Sequence, residues 1–214
     1  MKNDLVRLKE QGLVAVVRGV QFETAHRLVE ALMLGGISII EITVDAPRAI
    51  DVIKDLATRF GDEILLGAGT VMDGETARMA ILAGAQFIVS PSLHPDVITV
   101  SKRYGKIVIP GGMTPTEIVK GYELGADMIK VFPASILGPG YIKDIRGPLG
   151  HIPLMTTGGI DLHNIADFIK AGVDVVGVGG SLVSRQMIQE GKWELITEKA
   201  RQLVEEVKRA RKTN

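Results

Sequence analysis

Three charged residues stand inside or at the end of short aliphatic runs. Arg18 closes Leu13-Val14-Ala15-Val16-Val17-Arg18, Glu41 interrupts Ile39-Ile40-Glu41-Ile42-Thr43, and Lys130 interrupts Met128-Ile129-Lys130-Val131-Phe132. Each run reads as a β-strand. Alternation then groups Val14, Val16 and Arg18 on one face, Ile39, Glu41 and Thr43 on another, and Met128, Lys130 and Phe132 on a third. The opposite faces, Ile40 with Ile42 and Ile129 with Val131, are aliphatic. A charge in a strand buried on both faces is costly unless it has a partner or a task. One reading is an Arg–Glu–Lys ion network that only fills a core, an arrangement rarely more stabilising than apolar packing. The other is a catalytic set. A lysine enclosed by Met128, Phe132 and aliphatic neighbours can present a free amine to a ketone and form a Schiff base. Glu41 can shuttle protons, directly or through a water, during carbinolamine collapse and C–C cleavage. Arg18 offers a planar fork for the carboxylate of an α-keto acid. Thr43 and Thr70, both at strand ends, can hydrogen-bond the substrate or a catalytic water.

Positioning such a set takes regular architecture, and the chain has its pattern. Strand-like runs fall at 13–18, 38–44, 64–68, 87–90, 107–110, 127–132, 153–157 and 174–179. Amphipathic helical stretches at 23–34, 48–59, 74–83, 116–124 and 162–171 lie among them; Ala25, Leu28, Val29 and Leu32 mark one face of the first. A last helix is expected from Trp193 to about Arg211. The words Leu34-Gly35-Gly36, Ala83-Gly84-Ala85, Leu124-Gly125-Ala126 and Ala171-Gly172-Val173 each end a helix and open a strand, where glycine suits a left-handed closing residue. Gly36, Gly84, Gly125 and Gly172 are 48, 41 and 47 residues apart, a period that holds two β/α units. Four copies give eight strands, so the expectation is a single (β/α)₈ TIM barrel over residues 1–214, preferred to an open doubly wound sheet. The three charges lie toward the C-terminal strand ends, where barrel active sites are built.

After the seventh and eighth strands come Thr156-Thr157-Gly158-Gly159-Ile160 and Gly177-Val178-Gly179-Gly180-Ser181. In barrels these two loops commonly hold phosphate through backbone N–H groups. They could equally be tight turns, or hold a distal carboxylate. The four His residues show no metal-ligand spacing, and Gly67-Ala68-Gly69-Thr70 lacks the third Gly and the acidic residue of a dinucleotide fingerprint. His26 and His163 read as surface residues and His94 as a residue at the mouth; Asp73, Asp144 and Asp161 read as caps or turn residues. No metal or cofactor is required.

Composition narrows the rest. Lys plus Arg equals Asp plus Glu at 25 each and aromatic residues are few, which argues against nucleic acid as a partner. There is no Cys, so disulfides and thiolate chemistry are excluded. The polar start Met1-Lys2-Asn3-Asp4 and the absence of a long apolar run give no signal core and no membrane span. A soluble cytoplasmic protein is expected.

The words Glu41-Ile42-Thr43, Gly67-Ala68-Gly69-Thr70, Ser90-Pro91, Ile109-Pro110-Gly111, Lys130-Val131-Phe132-Pro133, Thr157-Gly158-Gly159-Ile160 and Gly179-Gly180-Ser181 occur in the order of one family. Over about residues 5 to 205 the chain resembles the 2-keto-3-deoxy-6-phosphogluconate aldolase and 4-hydroxy-2-oxoglutarate aldolase family. The resemblance implies a homotrimeric, metal-free class I aldolase acting on a small keto acid. It makes Lys130 the Schiff-base lysine and Glu41 the general acid/base. Thr70, Pro91, Phe132 and Thr157 would line the pyruvyl pocket, and Gly158, Gly159, Gly180 and Ser181, beside Gly179, would meet a phosphate or distal carboxylate. Some members carry a carboxylate-binding Arg two residues after the strand-two Thr, where this chain has Asp45; others carry it at the end of strand one. The substrate carboxylate is therefore assigned to Arg18, with Arg48 as the substitute. A phosphosugar isomerase or epimerase on the same barrel, and a non-catalytic sugar-phosphate binder, are the alternatives.

Overall fold

The eight apolar runs become eight parallel strands: β1 (Leu13–Val17), β2 (Ile39–Thr43), β3 (Leu65–Gly69), β4 (Phe87–Val89), β5 (Ile107–Ile109), β6 (Ile129–Val131), β7 (Leu154–Thr157) and β8 (Val175–Val178). The computed structural model describes residues 2–212; Met1, Thr213 and Asn214, the ends of the expected 1–214 unit, lie outside the described residues. Hydrogen-bonded order runs β5-β4-β3-β2-β1-β8-β7-β6. The edges β5 and β6 meet through main-chain bonds from Asp127 N–H to the Val108 carbonyl (3.1 Å), from Lys130 N–H to Pro110 (2.9 Å) and from Gly112 N–H to Lys130 (2.9 Å). The sheet is thereby rolled into the expected (β/α)₈ barrel, and Lys130 sits on its closing seam.

Helices α2 (Phe22–Leu34), α3 (Ala49–Phe60), α4 (Gly74–Leu82), α5 (Pro95–Arg103), α6 (Pro115–Glu123), α7 (Ala134–Leu149) and α8 (Ile165–Lys170) link successive strands, and α9 (Arg185–Gln189) and α10 (Trp193–Lys212) follow β8. Side chains set the starts of α4 and α6. Asp73 caps α4 by accepting from Thr76 N–H, and Thr114 with Glu117 forms a capping box on α6. The four-glycine repeat is one device used four times. Gly36, Gly84, Gly125 and Gly172 have φ of +91°, +114°, +95° and +101°. Each is followed by a residue whose N–H reaches back five positions: Ile37 to Leu32, Ala85 to Ala80, Ala126 to Gly121 and Val173 to Phe168. That is a Schellman closure, and the next strand starts from it.

Between strands and helices the outward residues form one continuous core, while Val14, Ile39, Leu65, Phe87, Ile107, Met128, Met155 and Val175 fill the barrel interior. An N-terminal helix, α1 (Lys2–Gln11), was not read from the sequence. Its Leu8 is fully buried in the interior cluster and Leu5 packs beside it, so α1 plugs the end of the barrel opposite the strand C-termini. Asp144 also differs from expectation. It lies within α7, whose second segment starts after Gly138 (φ 71°) with Pro139 in its first turn, and is neither a cap nor a turn residue. Among the described residues no helix is long and apolar enough to cross a membrane.

Candidate active site

The C-terminal ends of the strands open into a cavity of about 790 Å³. Its wall takes Val16 and Arg18 from β1 and the residue beyond it, Thr70 after β3, Pro91 after β4, Lys130 and Phe132 from β6 and just past it, Thr157 at the end of β7, and Gly158 to Asp161 after it. Gly177, Gly179 to Ser181, and Val183 to Arg185 complete it. Eleven residues expected at the site thus share one wall: Arg18, Thr70, Pro91, Lys130, Phe132, Thr157, Gly158, Gly159, Gly179, Gly180 and Ser181.

Lys130 is 6% exposed, and its amine lies 5.2 Å from the Phe132 ring centroid, within cation–π range. Among the described residues no carboxylate is within ion-pair distance of it. Glu41 and Thr43, each 1% exposed, are buried beside the cavity and are not part of its wall. For Thr43 this departs from the expected substrate contact: its strand alternation turns it inward at the level of Gly69, below the open mouth. The Glu41 side chain lies over the same glycine. A methyl group on Gly69 would come 1.8 Å from Glu41 Oε1, so the absence of a side chain there is what admits the carboxyl. Gly67 likewise makes room for the Phe87 ring (2.3 Å from an added methyl) and Gly177 for Thr157 Cγ2 (2.5 Å). Burial pushes the Glu41 carboxyl above its ordinary pKa, against the opposing charges of Lys130 and Arg18. Its Oε2 takes no hydrogen bond from any described residue. A carboxyl that is reluctant to ionise and has an open acceptor is suited to exchanging a proton with a ligand or water.

The rim differs in kind. Arg18 lies one residue past β1, exposed, and donates from Nη1 to Asp45 Oδ2 at 2.7 Å. Desolvation acts to raise the Asp45 carboxyl, but hydrogen bonds and the Arg18 charge outweigh it and hold the group below its ordinary value. Arg48 does not reach this cavity. Its guanidinium stacks 4.5 Å above the Phe22 ring and pairs with Glu23 and Asp51, so it is a poor substitute for Arg18. Thr70 has φ +61°, a strained conformation for a β-branched residue and one held where the cavity wall turns. Gly158 and Gly159 have φ of +93° and +73°, and a methyl on Gly159 would strike Ser135 Cβ at 2.4 Å. The Ser181 hydroxyl donates to the Ile160 carbonyl at 2.7 Å, tying the β7 and β8 loops together. His94 precedes α5 without capping it through its side chain and meets the Ser92 hydroxyl at 2.8 Å, and His163 sits in the turn before α8. Among the described residues no cluster of three or more His, Asp or Glu is placed to hold a metal ion.

The use of the glycines that seat Glu41, Phe87 and Thr157, the bond of Asp45 to Arg18 and the presence of Arg185 at the cavity were not read from the sequence. Gly67 and Gly69 did leave a signal, since two glycines at alternate positions inside a strand call for a close neighbour rather than a turn.

A barrel with a buried lysine facing its mouth, a buried carboxyl beside it and an arginine at the rim has the parts of an enzyme built for carbonyl chemistry. The family model for KDPG and KHG aldolase matches residues 5–199, and the chain belongs to that family; it is a carbon–carbon lyase. It is 36% identical over 171 residues to 2-dehydro-3-deoxy-6-phosphogalactonate aldolase of Escherichia coli (strain K12), covering 79% of this chain and 83% of the relative. It is 33% identical over 204 residues to 2-dehydro-3-deoxy-phosphogluconate aldolase of Haemophilus influenzae, covering 94% and 95%. A solved structure of KDPG aldolase from Legionella pneumophila, with pyruvate captured at low pH as a covalent carbinolamine intermediate, superposes with a TM-score of 0.85 at 31% identity, covering 90% of this chain and 93% of the other.

Proposed function

We propose that the protein cleaves a 4-hydroxy-2-keto acid to pyruvate and an aldehyde through a Schiff base on Lys130. The observation that carries this reading is the near-complete burial of the Lys130 side chain, paired with no carboxylate among the described residues, at the floor of the cavity. The amine attacks C2 of the keto acid and loss of water gives an iminium. Glu41, through a water, removes the C4 hydroxyl proton; the C3–C4 bond breaks, and its electron pair passes into the iminium to give an enamine while the aldehyde departs. Protonation at C3 and hydrolysis then release pyruvate and restore the amine. Arg18 holds the carboxylate of the keto acid, with donors left over from its bond to Asp45. Thr70, Pro91, Phe132 and Thr157 enclose the three-carbon unit, and the Gly158-Gly159 and Gly179-Gly180-Ser181 loops face the distal anion. A 6-phosphorylated sugar acid of gluconate or galactonate type gives glyceraldehyde 3-phosphate; 4-hydroxy-2-oxoglutarate gives glyoxylate. In line with the family resemblance, the working form is proposed to be a cytoplasmic homotrimer.

Borohydride reduction in the presence of pyruvate, followed by peptide mass mapping, tests the central step. The expected result is a reduced pyruvyl adduct on Lys130, lost in Lys130→Ala together with turnover. A folded protein with no adduct, or one that isomerises a phosphosugar without releasing pyruvate, would overturn it.

A further inference from the structure

The cavity wall carries four charged side chains: Arg18, Lys130, Asp161 and Arg185. Lys130 is assigned to the keto carbon, and Arg18 already faces Asp45 at 2.7 Å. Asp161 is turned into its own loop, where Oδ1 accepts from the His163 N–H at 2.8 Å. Arg185 differs from all three. Among the described residues no hydrogen bond or ion pair engages its guanidinium. From beyond β8 it reaches to the turn after β1, where Nη2 and Nε lie 3.2 and 3.3 Å from the point a methyl on Gly19 would occupy. There it borders both the main cavity and an adjoining one of about 500 Å³.

A second observation concerns the neighbouring backbone. Gly180 is on the cavity wall, its φ is not in the left-handed region, and a side chain there would meet nothing within 4 Å. Neither backbone conformation nor packing within this chain calls for glycine, which leaves the approach of a ligand to the main chain as its use. A main-chain cradle accepts a carboxylate or a phosphate equally well. An uncompensated guanidinium beside it favours the more highly charged of the two, and a phosphate monoester carries about −1.5 to −2 at neutral pH.

We infer that Arg185 is the specificity-determining residue for the distal end of the substrate, taking a phosphate monoester on the aldehyde half and thereby selecting the phosphorylated sugar acid over the shorter dicarboxylate. This rests on the aldolase reading above, and the test separates the two. Arg185→Gln and Arg185→Lys are compared with the unaltered protein on the 6-phosphorylated acid, in whichever C4 configuration is cleaved, and on 4-hydroxy-2-oxoglutarate. Removing one charge-assisted contact is expected to raise KM for the phosphorylated acid about tenfold or more, with kcat within about twofold. The change with 4-hydroxy-2-oxoglutarate is smaller, so the preference narrows, and Arg185→Lys recovers part of it. Binding of inorganic phosphate, followed by calorimetry, weakens in parallel and is read without any turnover. Equal shifts on both substrates, an unchanged KM for the phosphorylated acid, unaltered phosphate binding in Arg185→Gln, or an unaltered protein with no preference for phosphate would overturn the inference. A failure of pyruvate trapping at Lys130 would instead strike the aldolase reading, with phosphate calorimetry still deciding the role of Arg185.

Discussion

The floor and the rim of the same cavity use charge in opposite ways. At the floor, Lys130 and the Glu41 buried beside it are 6% and 1% exposed, and solvent screens neither. Desolvation dominates there, so the raised pKa of Glu41 is a direct consequence of where the strand puts it. At the rim, the side chains of Arg18 and Asp45 are 55% and 40% exposed, and their contact is a surface ion pair of little worth to stability. Burial gives the floor its chemistry at a cost in folding energy. Exposure leaves the rim charges in place at almost no cost in folding energy, and leaves them sensitive to salt.

The sharpest way to break this contrast is Glu41→Gln. It removes the proton carrier and is expected to lower kcat by about 10²–10⁴-fold. In the unaltered enzyme kcat/KM is expected to fall on the acid side with a midpoint above the ordinary glutamate value, because in the proposed step Glu41 must be ionised to accept a proton and burial resists that; the variant is expected to lose this limb. Stability runs the other way. A carboxyl whose folded pKa is raised contributes stability that is present below its unfolded pKa and lost as pH rises through its folded one. Glu41→Gln is therefore expected to melt above the unaltered protein at neutral pH, with the gap closing toward pH 4. A gap that is constant with pH would mean that Glu41 is not strained by its burial.

A smaller effect comes from the residue that seats Glu41. In Gly69→Ala the new methyl meets the far end of a flexible side chain rather than backbone, so the carboxyl moves and the barrel survives. Overpacking of this kind costs about 1–3 kcal/mol, and displacing the carboxyl from its working position is expected to lower kcat by roughly 10²-fold. Thermal melts with steady-state kinetics check both. Full kcat in a folded Gly69→Ala protein would show that the position of Glu41 is not critical.

The floor was more legible in the sequence than the rim for a physical reason. Glu41 and Lys130 interrupt aliphatic strands, and alternation alone fixes the face they must take, so local spacing carries the information. The repeated helix-closing glycines carried the strand count in the same local way. Gly69 could be seen but not interpreted, because its use depends on a side chain 28 residues away, on β2, that leans over it from two residues down the β2–β3 register. Asp45 stood out as a departure from the family pattern, yet its bond to Arg18 joins two loops 27 residues apart. The reach of Arg185 toward Gly19 spans most of the chain. The plug helix α1 was illegible because a polar ten-residue segment hides its meaning in Leu5 and Leu8, and these count only once a barrel exists to be closed.

The finest test of the contrast lies at Asp45, where two effects oppose each other. If Arg18 takes the keto acid's carboxylate as proposed, the Asp45 carboxylate helps docking by orienting Arg18 and hinders it by repelling that same carboxylate. Asparagine keeps an acceptor for the Arg18 Nη1 donor and discards the charge; alanine discards both. A unit charge some 7 Å away in water-like surroundings is worth about 0.6 kcal/mol, so Asp45→Asn is expected to lower KM by about two- to threefold at low ionic strength. The advantage shrinks as added salt brings the Debye length to about 8 Å and below. Asp45→Ala frees the guanidinium to wander and is expected to raise KM, with kcat and melting temperature close to the unaltered protein's in both variants. If the Asn and Ala variants shift KM in the same direction, Asp45 acts through charge alone and does not orient Arg18. If either lowers kcat as strongly as Gly69→Ala, the rim is coupled to the floor and the division between them fails.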